Sequence, residues 1–418
     1  MNRIRDSWAN WKSTLKNKNM RAFTLSRSMS RLVTNIIPIV IPWQILKIEH
    51  SSSSLLAYYL TIYTLFLAIG SILSGFFIDR YGPKLSLLFC EVFRSLIAVM
   101  TPLGLLTSYG GSFLLGAILG FFGGAASIAT NVIPKRILTN SEIPHGVATL
   151  QSSGQFIFLI IPFISGAVLS NINSYSLWYL IGLFYLFASF PLLLIKEKNV
   201  KDDRVIINKK SRGSIEEVKE SMQLLFHNSY IHVFIIASIV IGITMTGIQD
   251  VIVPHELINS MHVNSYVYGM VTPIWQYGLL AGSLLLGIFP PKKLRVFIYS
   301  SIMFSFTIIF FIFPSEILFI IGLIFLGILM SYQRSTSIVF LNQTVPGNVL
   351  GKISGILDFI DFVFQPLSLW LANLAIVYNL INTYEMACIA IIIVPLIFLL
   401  GRVNTLKFTN EEKSNFPK

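Results

Sequence analysis

Residues 75–84 read Gly75-Phe76-Phe77-Ile78-Asp79-Arg80-Tyr81-Gly82-Pro83-Lys84. Three charges and a proline sit in this short connection, between apolar runs at about 55–78 and 85–107. A membrane-crossing helix needs about 20 mostly apolar residues. The stretch therefore reads as the tight polar turn of a hairpin that crosses a membrane twice. Working outward, further apolar segments fall at 22–46, 111–133, 147–170 and 176–195. After a polar stretch come 229–255, 266–289, 294–313, 316–340, 352–377 and 383–401. They are too long for barrel strands, which alternate over about 10 residues. The pattern predicts an all-α membrane protein with 12 transmembrane helices in two six-helix bundles. The expected divisions are a basic amphipathic segment 1–21, bundles 22–195 and 229–401, a linker 196–228 and a tail 402–418.

Composition agrees. Of 418 residues, 54% are hydrophobic and 12% charged, against roughly a quarter charged in soluble domains. Mean hydropathy is +0.72. A soluble multidomain enzyme is excluded, and so is a disordered chain. Twenty-six of the 31 basic residues lie in the termini and alternate connections, while the opposite connections hold only Lys47. Lysine and arginine mark the cytoplasmic side, so both termini are expected there. The net charge of +12 then reports topology and calls for no nucleic acid. No cleaved signal peptide is expected. Ile4, Trp8, Trp11 and Leu15 form a stripe on a basic helix expected to lie on the inner membrane surface.

The remaining basic residues, Arg27, Arg31, Arg94 and Arg334, fall inside expected spans, with Glu91, Asp250, Asp358 and Asp361 inside spans or at their ends. Charge there is costly and faces a cavity or a partner. Glu91 and Arg94 are three apart, on one helix face. They read as a structural ion pair or as a proton-coupling and gating pair. Arg27 and Arg31 share a face in the same way. A guanidinium binds carboxylates bidentately and keeps its proton. Arg27, Arg31 and Arg334 are therefore candidates for an anionic cargo, or for pairing with Asp250, Asp358 or Asp361. Those three aspartates are also proton-site candidates. Gln155, Gln276 and Gln333 are placed to bond cargo or to join helices. Cys90 and Cys388 suggest no disulfide framework. Neither a His-Glu-x-x-His string nor a phosphate-binding Gly-Lys-Ser/Thr loop is present. No metal, cofactor or enzymatic activity is expected, and a proton gradient is the expected energy source.

The stretch 75–84, set between spans two and three, resembles the loop that typifies the major facilitator superfamily, with Pro83 at its usual basic position. In that family the glycine matching Gly75 lets helices approach closely. The resemblance implies that Asp79 caps a neighbouring helix and pairs with basic groups, making Asp79, Arg80 and Lys84 a latch. Gly287-Ile-Phe-Pro-Pro-Lys-Lys keeps the basic cluster of a second copy without its aspartate. Within the superfamily the chain resembles the branch of macrolide, multidrug and siderophore exporters. The carrying residues are Asn19 to Trp43 with Ser30-Arg31, then Glu91 and Arg94, a partial Pro162 and Gly166 signature, and Gln343 to Ile353 with Lys352 in place of arginine. Spans one and ten line the central cavity in this superfamily, which would put Arg27 and Arg334 on its two sides.

The expected function is proton-coupled export of an anionic small metabolite by alternating access, with a carboxylate-type siderophore as the best class. Efflux of hydrophobic drugs is the alternative. A channel or membrane enzyme is disfavoured by the span pattern and the lack of convergent catalytic groups. The expected partners are a small-molecule substrate and membrane lipids, and the chain is expected to act as a monomer. Richness in Ile, Asn and Lys suggests the cytoplasmic membrane of a Gram-positive bacterium.

Overall fold

The structure, a computed structural model, describes residues 2–48, 53–103, 109–171, 173–197, 274–291, 316–345, 347 and 349–377. Within them the regular structure is helical throughout. The helices are α1 (Asn2–Lys16), α2 (Lys18–Ile48), α3 (Ser53–Tyr81), α4 (Pro83–Met100), α5 (Tyr109–Ile137), α6 (Ile143–Asn171), α7 (Ser174–Leu193), α8 (Ile274–Ile288), α9 (Glu316–Thr344) and α10 (Leu350–Val377). The connection of the opening stretch is a single residue. Gly82 has φ 91°, a left-handed value that glycine tolerates. Pro83 follows at the first position of α4, where its missing N–H is no loss.

The expectation of twelve spans in two six-helix bundles is corrected here. The described residues form ten α-helices. Five contain stretches long and apolar enough to cross a membrane: Thr61–Tyr81, Gly110–Ile137, Ser176–Leu193, Ile320–Gln343 and Leu350–Ala372. The physical reason is charge in one helix and length in another. α4 carries Lys84, Glu91 and Arg94 within its 18 residues. α8 has only 15 residues. The segments expected at 229–255, 294–313 and 383–401 lie outside the described residues. So do Asp250, Cys388, the tail 402–418 and nearly all of the linker 196–228.

α2–α7 pack among themselves, and α8 packs on α9. Two seams join these groups, α3 against α10 and α6 against α8. The α3–α10 seam runs backbone to backbone through glycines. A Cβ added at Gly75 would lie 2.7 Å from the Gly351 carbonyl oxygen and 2.8 Å from Lys352 Cα. Gly355 meets the Ser71 carbonyl in the same way, at 2.7 Å. In the other seam, Gly278 and Gly282 of α8 press instead on the α9 backbone, leaving the α6-facing side of α8 to Ser283, whose Oγ lies 2.9 Å from Ser152 Oγ.

Two apolar cores reflect this arrangement. One runs across the seams, from Phe23, Ile78 and Ile133 to Leu286, Val339 and Leu350. The other, around Val33, Tyr59, Leu115 and Trp178, stays within α2–α7. The shared core lies at the end where α3, α5 and α7 finish and α2, α4, α6 and α10 begin. Arg80, Lys84, Lys135, Arg136 and Lys352 all lie at this basic end.

Gly351→Ala tests the seam. Its added Cβ would sit 2.6 Å from Asp79 Oδ1 and 2.9 Å from the Gly75 carbonyl oxygen. Overpacking of this kind costs about 1–3 kcal/mol. A lowered thermal midpoint of the purified protein is the expected result.

Candidate functional site

A cavity of about 350 Å³ lies between the two groups of helices, within the range of small-molecule sites. Its walls include Arg27, Arg31 and Asn35 of α2, Arg94 of α4, Gln151 and Gln155 of α6, and Arg334 of α9. Tyr63, Leu67, Phe158, Ile338 and Phe362 supply its apolar surface. Polar side chains thus reach this space from α2, α4, α5, α6 and α9.

The four guanidiniums are held differently. Glu91 is fully buried, and its Oε1 accepts from Arg27 Nη1 at 2.5 Å and from Ser30 Oγ at 2.9 Å. Arg94 Nη1 is 4.0 Å from the same oxygen, and its guanidinium lies 5.4 Å from the Tyr185 ring centroid. Tyr185 is itself tied to Thr34 at 2.9 Å. A Cβ on Gly123 would lie 3.0 Å from Arg94 Nη2, so Gly123 leaves the guanidinium its room. One carboxylate therefore faces two cations. Arg27 is the close partner of Glu91, and Arg94, its neighbour in sequence, is the distant one.

Arg31 donates to the Leu150 carbonyl of α6. A side chain at Gly154 would collide with this guanidinium. Arg334 stands opposite on α9 with its side chain 53% exposed, and Asp361 of α10 is 3.7 Å away. Arg31 and Arg334 face the same cavity as like charges. Asp358, one turn before Asp361, accepts from Ser127 Oγ of α5 at 2.8 Å, across the helix groups. Gln155 lines the cavity, whereas Gln276 and Gln333 are buried and do not appear among its lining residues.

At the basic end, Asp79 accepts the backbone N–H groups of Gly351 at 2.9 Å and Lys352 at 3.1 Å. These are early amides of α10, where a carboxylate is favoured by the unpaired N–H groups and the helix dipole. Lys84 points elsewhere. Its ammonium donates to the carbonyls of Leu193 at 3.2 Å and Ile195 at 2.6 Å, at and just beyond the end of α7. Arg80 is exposed beside the Tyr81 ring.

Several contacts escape the opening stretch altogether. Lys135 donates to the Val345 carbonyl, and Arg136 to the Gly347 carbonyl at 3.1 Å. Asn342 donates to the Asn131 carbonyl at 2.8 Å, and Gln343 to that of Asn140 at 2.9 Å. In sequence the first two are a loop's basic pair, and nothing there names their partners. Among the described residues no three His, Cys, Asp or Glu side chains gather as a metal site.

Glu91→Ala would leave Arg27 and Arg94 buried without their carboxylate. Removing one partner of a buried pair costs about 3–5 kcal/mol. The expected result is a marked fall in thermal midpoint in detergent, smaller for Glu91→Gln, which keeps an acceptor for Ser30.

Residues 23–369 match the sequence profile of the Major Facilitator Superfamily. No curated protein matches the chain. Among solved structures, the Escherichia coli fucose:proton symporter is similar, with TM-score 0.74 and 13% identity over 92% of this chain and 98% of that one. A bacterial homologue of the iron transporter ferroportin, in an outward-facing state, gives 0.71 and 14% over 92% and 99%. A human organic anion transporter gives 0.64 and 10% over 92% and 98%. At these identities the likeness concerns the fold.

Proposed function

The chain belongs to the Major Facilitator Superfamily, and from that premise we propose that it exports an anionic small metabolite by proton-coupled alternating access. As a family member it is a multi-pass membrane protein and a secondary transporter, not an enzyme. The observation that carries the anionic reading is the pair Arg31 and Arg334, which reach one cavity from α2 and α9. Each has donors to spare. Among the described residues Arg31 is fixed by one carbonyl, and Arg334 is half exposed beside a carboxylate at 3.7 Å. A carboxylate-bearing cargo would join them bidentately and relieve their mutual repulsion.

Gln151, Gln155, Asn35 and Asn131 add amide donors and acceptors to the walls. That lining favours a polar cargo over a hydrophobic drug. A carboxylate-type siderophore is the class we favour, and the organic anion transporter of similar fold is in keeping with it. We assign Arg27 chiefly to Glu91, so that cargo charge is read by Arg31 and Arg334.

The basic end faces the cytoplasm by the lysine and arginine rule. It is sealed by Asp79 on α10 and by the carbonyl contacts of Lys135 and Arg136. Opening to the cytoplasm breaks these bonds. Asp358 is our preferred proton carrier, because its bond to Ser127 spans the parting helices. The carboxylate would gain and lose this partner within each cycle, which alters its hold on a proton.

Everted membrane vesicles with an imposed pH gradient test this. A citrate-type siderophore is expected to accumulate and a macrolide not to. Arg31→Ala and Arg334→Ala are each expected to raise KM by about tenfold or more, the effect of losing a charged hydrogen bond. Unchanged siderophore transport in both variants would overturn the anion reading, and gradient-driven macrolide uptake alone would establish drug efflux.

A further inference from the structure

α1 does not spend its aromatic stripe on the membrane alone. Trp11 is only 9% exposed. Its indole N–H donates to Thr149 Oγ1 of α6 at 2.9 Å, and Thr149 in turn donates to the His145 carbonyl at 2.8 Å. On the other side the ring lies on Gly287 of α8, where an added Cβ would come within 2.9 Å of two ring carbons. One side chain thus touches both helices of the α6–α8 seam. It sits about one helical turn nearer the basic end than the Ser152–Ser283 contact.

The rest of α1 is built to hold this ring. Thr14 is fully buried, whereas Lys12, Leu15 and Lys16 face outward. A single non-helical residue, Asn17, separates α1 from α2, and its side chain accepts the Asn19 N–H at 3.0 Å. Asn17 also donates its N–H to the Ser13 and Thr14 carbonyls and accepts from the Arg21 N–H, so α1 is held at a fixed joint with its aromatic ring between α6 and α8.

We infer that α1 is a wedge across the α6–α8 seam and that Trp11 is a positioning residue of the transport cycle. With the ring in place, α6 and α8 are pinned through a hydrogen bond on one side and ring-to-backbone packing on the other. Opening the basic end requires Trp11 to leave Thr149, Gly287 or both. Its loss shifts the population toward the state open at that end. The inference holds whatever the cargo is, since none of its contacts lies in the cavity.

The test is a distance measurement between spin labels at Arg80 and Phe289, both exposed and on opposite sides of the seams, in the full-length purified protein without substrate. Trp11→Ala and Gly287→Ala are each expected to raise the long-distance population about fivefold, the effect of losing roughly one hydrogen bond's net stabilisation. Trp11→Phe removes the N–H that Thr149 accepts and is expected to raise the long-distance population as well, by no more than Trp11→Ala. The double variant should add little to either single one, because both empty the same contact. Wild-type distances in Trp11→Ala and Gly287→Ala would overturn the inference, as would full additivity in the double variant. If Trp11→Ala fails to fold, Gly287→Ala and Trp11→Phe decide: no long-distance gain in Gly287→Ala overturns it.

Discussion

A carboxylate that serves a helix other than its own is the interaction on which the rest depends. Asp79 ends α3 and receives the first amides of α10. Those amides have no partner within their own helix, so the bond answers a need that α10 cannot meet alone. It forms only if the two backbones come close, hence the glycines at 75 and 351. The approach of α3 to α10 in turn brings Ser127 within reach of Asp358. The cavity is what remains between the helices above this closed end.

Electrostatics divides the site into two layers. Glu91, Arg27 and Arg94 form a buried group within α2 and α4, where a carboxylate shared by two cations holds the helices in register. Arg27 and Arg94 touch the cavity from this group, whereas Arg31 and Arg334 line it apart from Glu91. Burial accounts for the difference. A cation closed off from water must be neutralised by the protein, whereas one facing a cavity can wait for a charged ligand.

Much of this was legible in the chain. The Gly75–Lys84 stretch located both the hairpin and the acid that meets α10. The rare intramembrane arginines located the cavity, because charge in such segments has few tolerable places. The pairing was not legible. Spacing of three set Glu91 beside Arg94, yet the observed separation is 4.0 Å, while Arg27, 64 positions away, comes to 2.5 Å. Helix packing decided that, and no local pattern encodes it. The count of spans misled for a related reason. α4 holds Lys84, Glu91 and Arg94 within 18 residues, more charge than is expected of a crossing helix. Trp11 belonged to a stripe that matched a lipid-facing helix, and only the glycine opposite, at position 287, reveals where the ring goes.

Most bonds that close the basic end terminate on main-chain atoms of the partner helix or its flanking turn: the amides of residues 351 and 352, and the carbonyls of 131, 140, 345 and 347. A main-chain atom is present whatever the side chain. The receiving surface can therefore drift in sequence, provided it keeps its helical path and its small residues at the crossings. Each face contributes side chains that reach the main chain of the other. That is why the carboxyl-terminal region can lack a second acidic turn, its counterpart Gly287-Ile-Phe-Pro-Pro-Lys-Lys having no aspartate, without leaving the closed end unsealed.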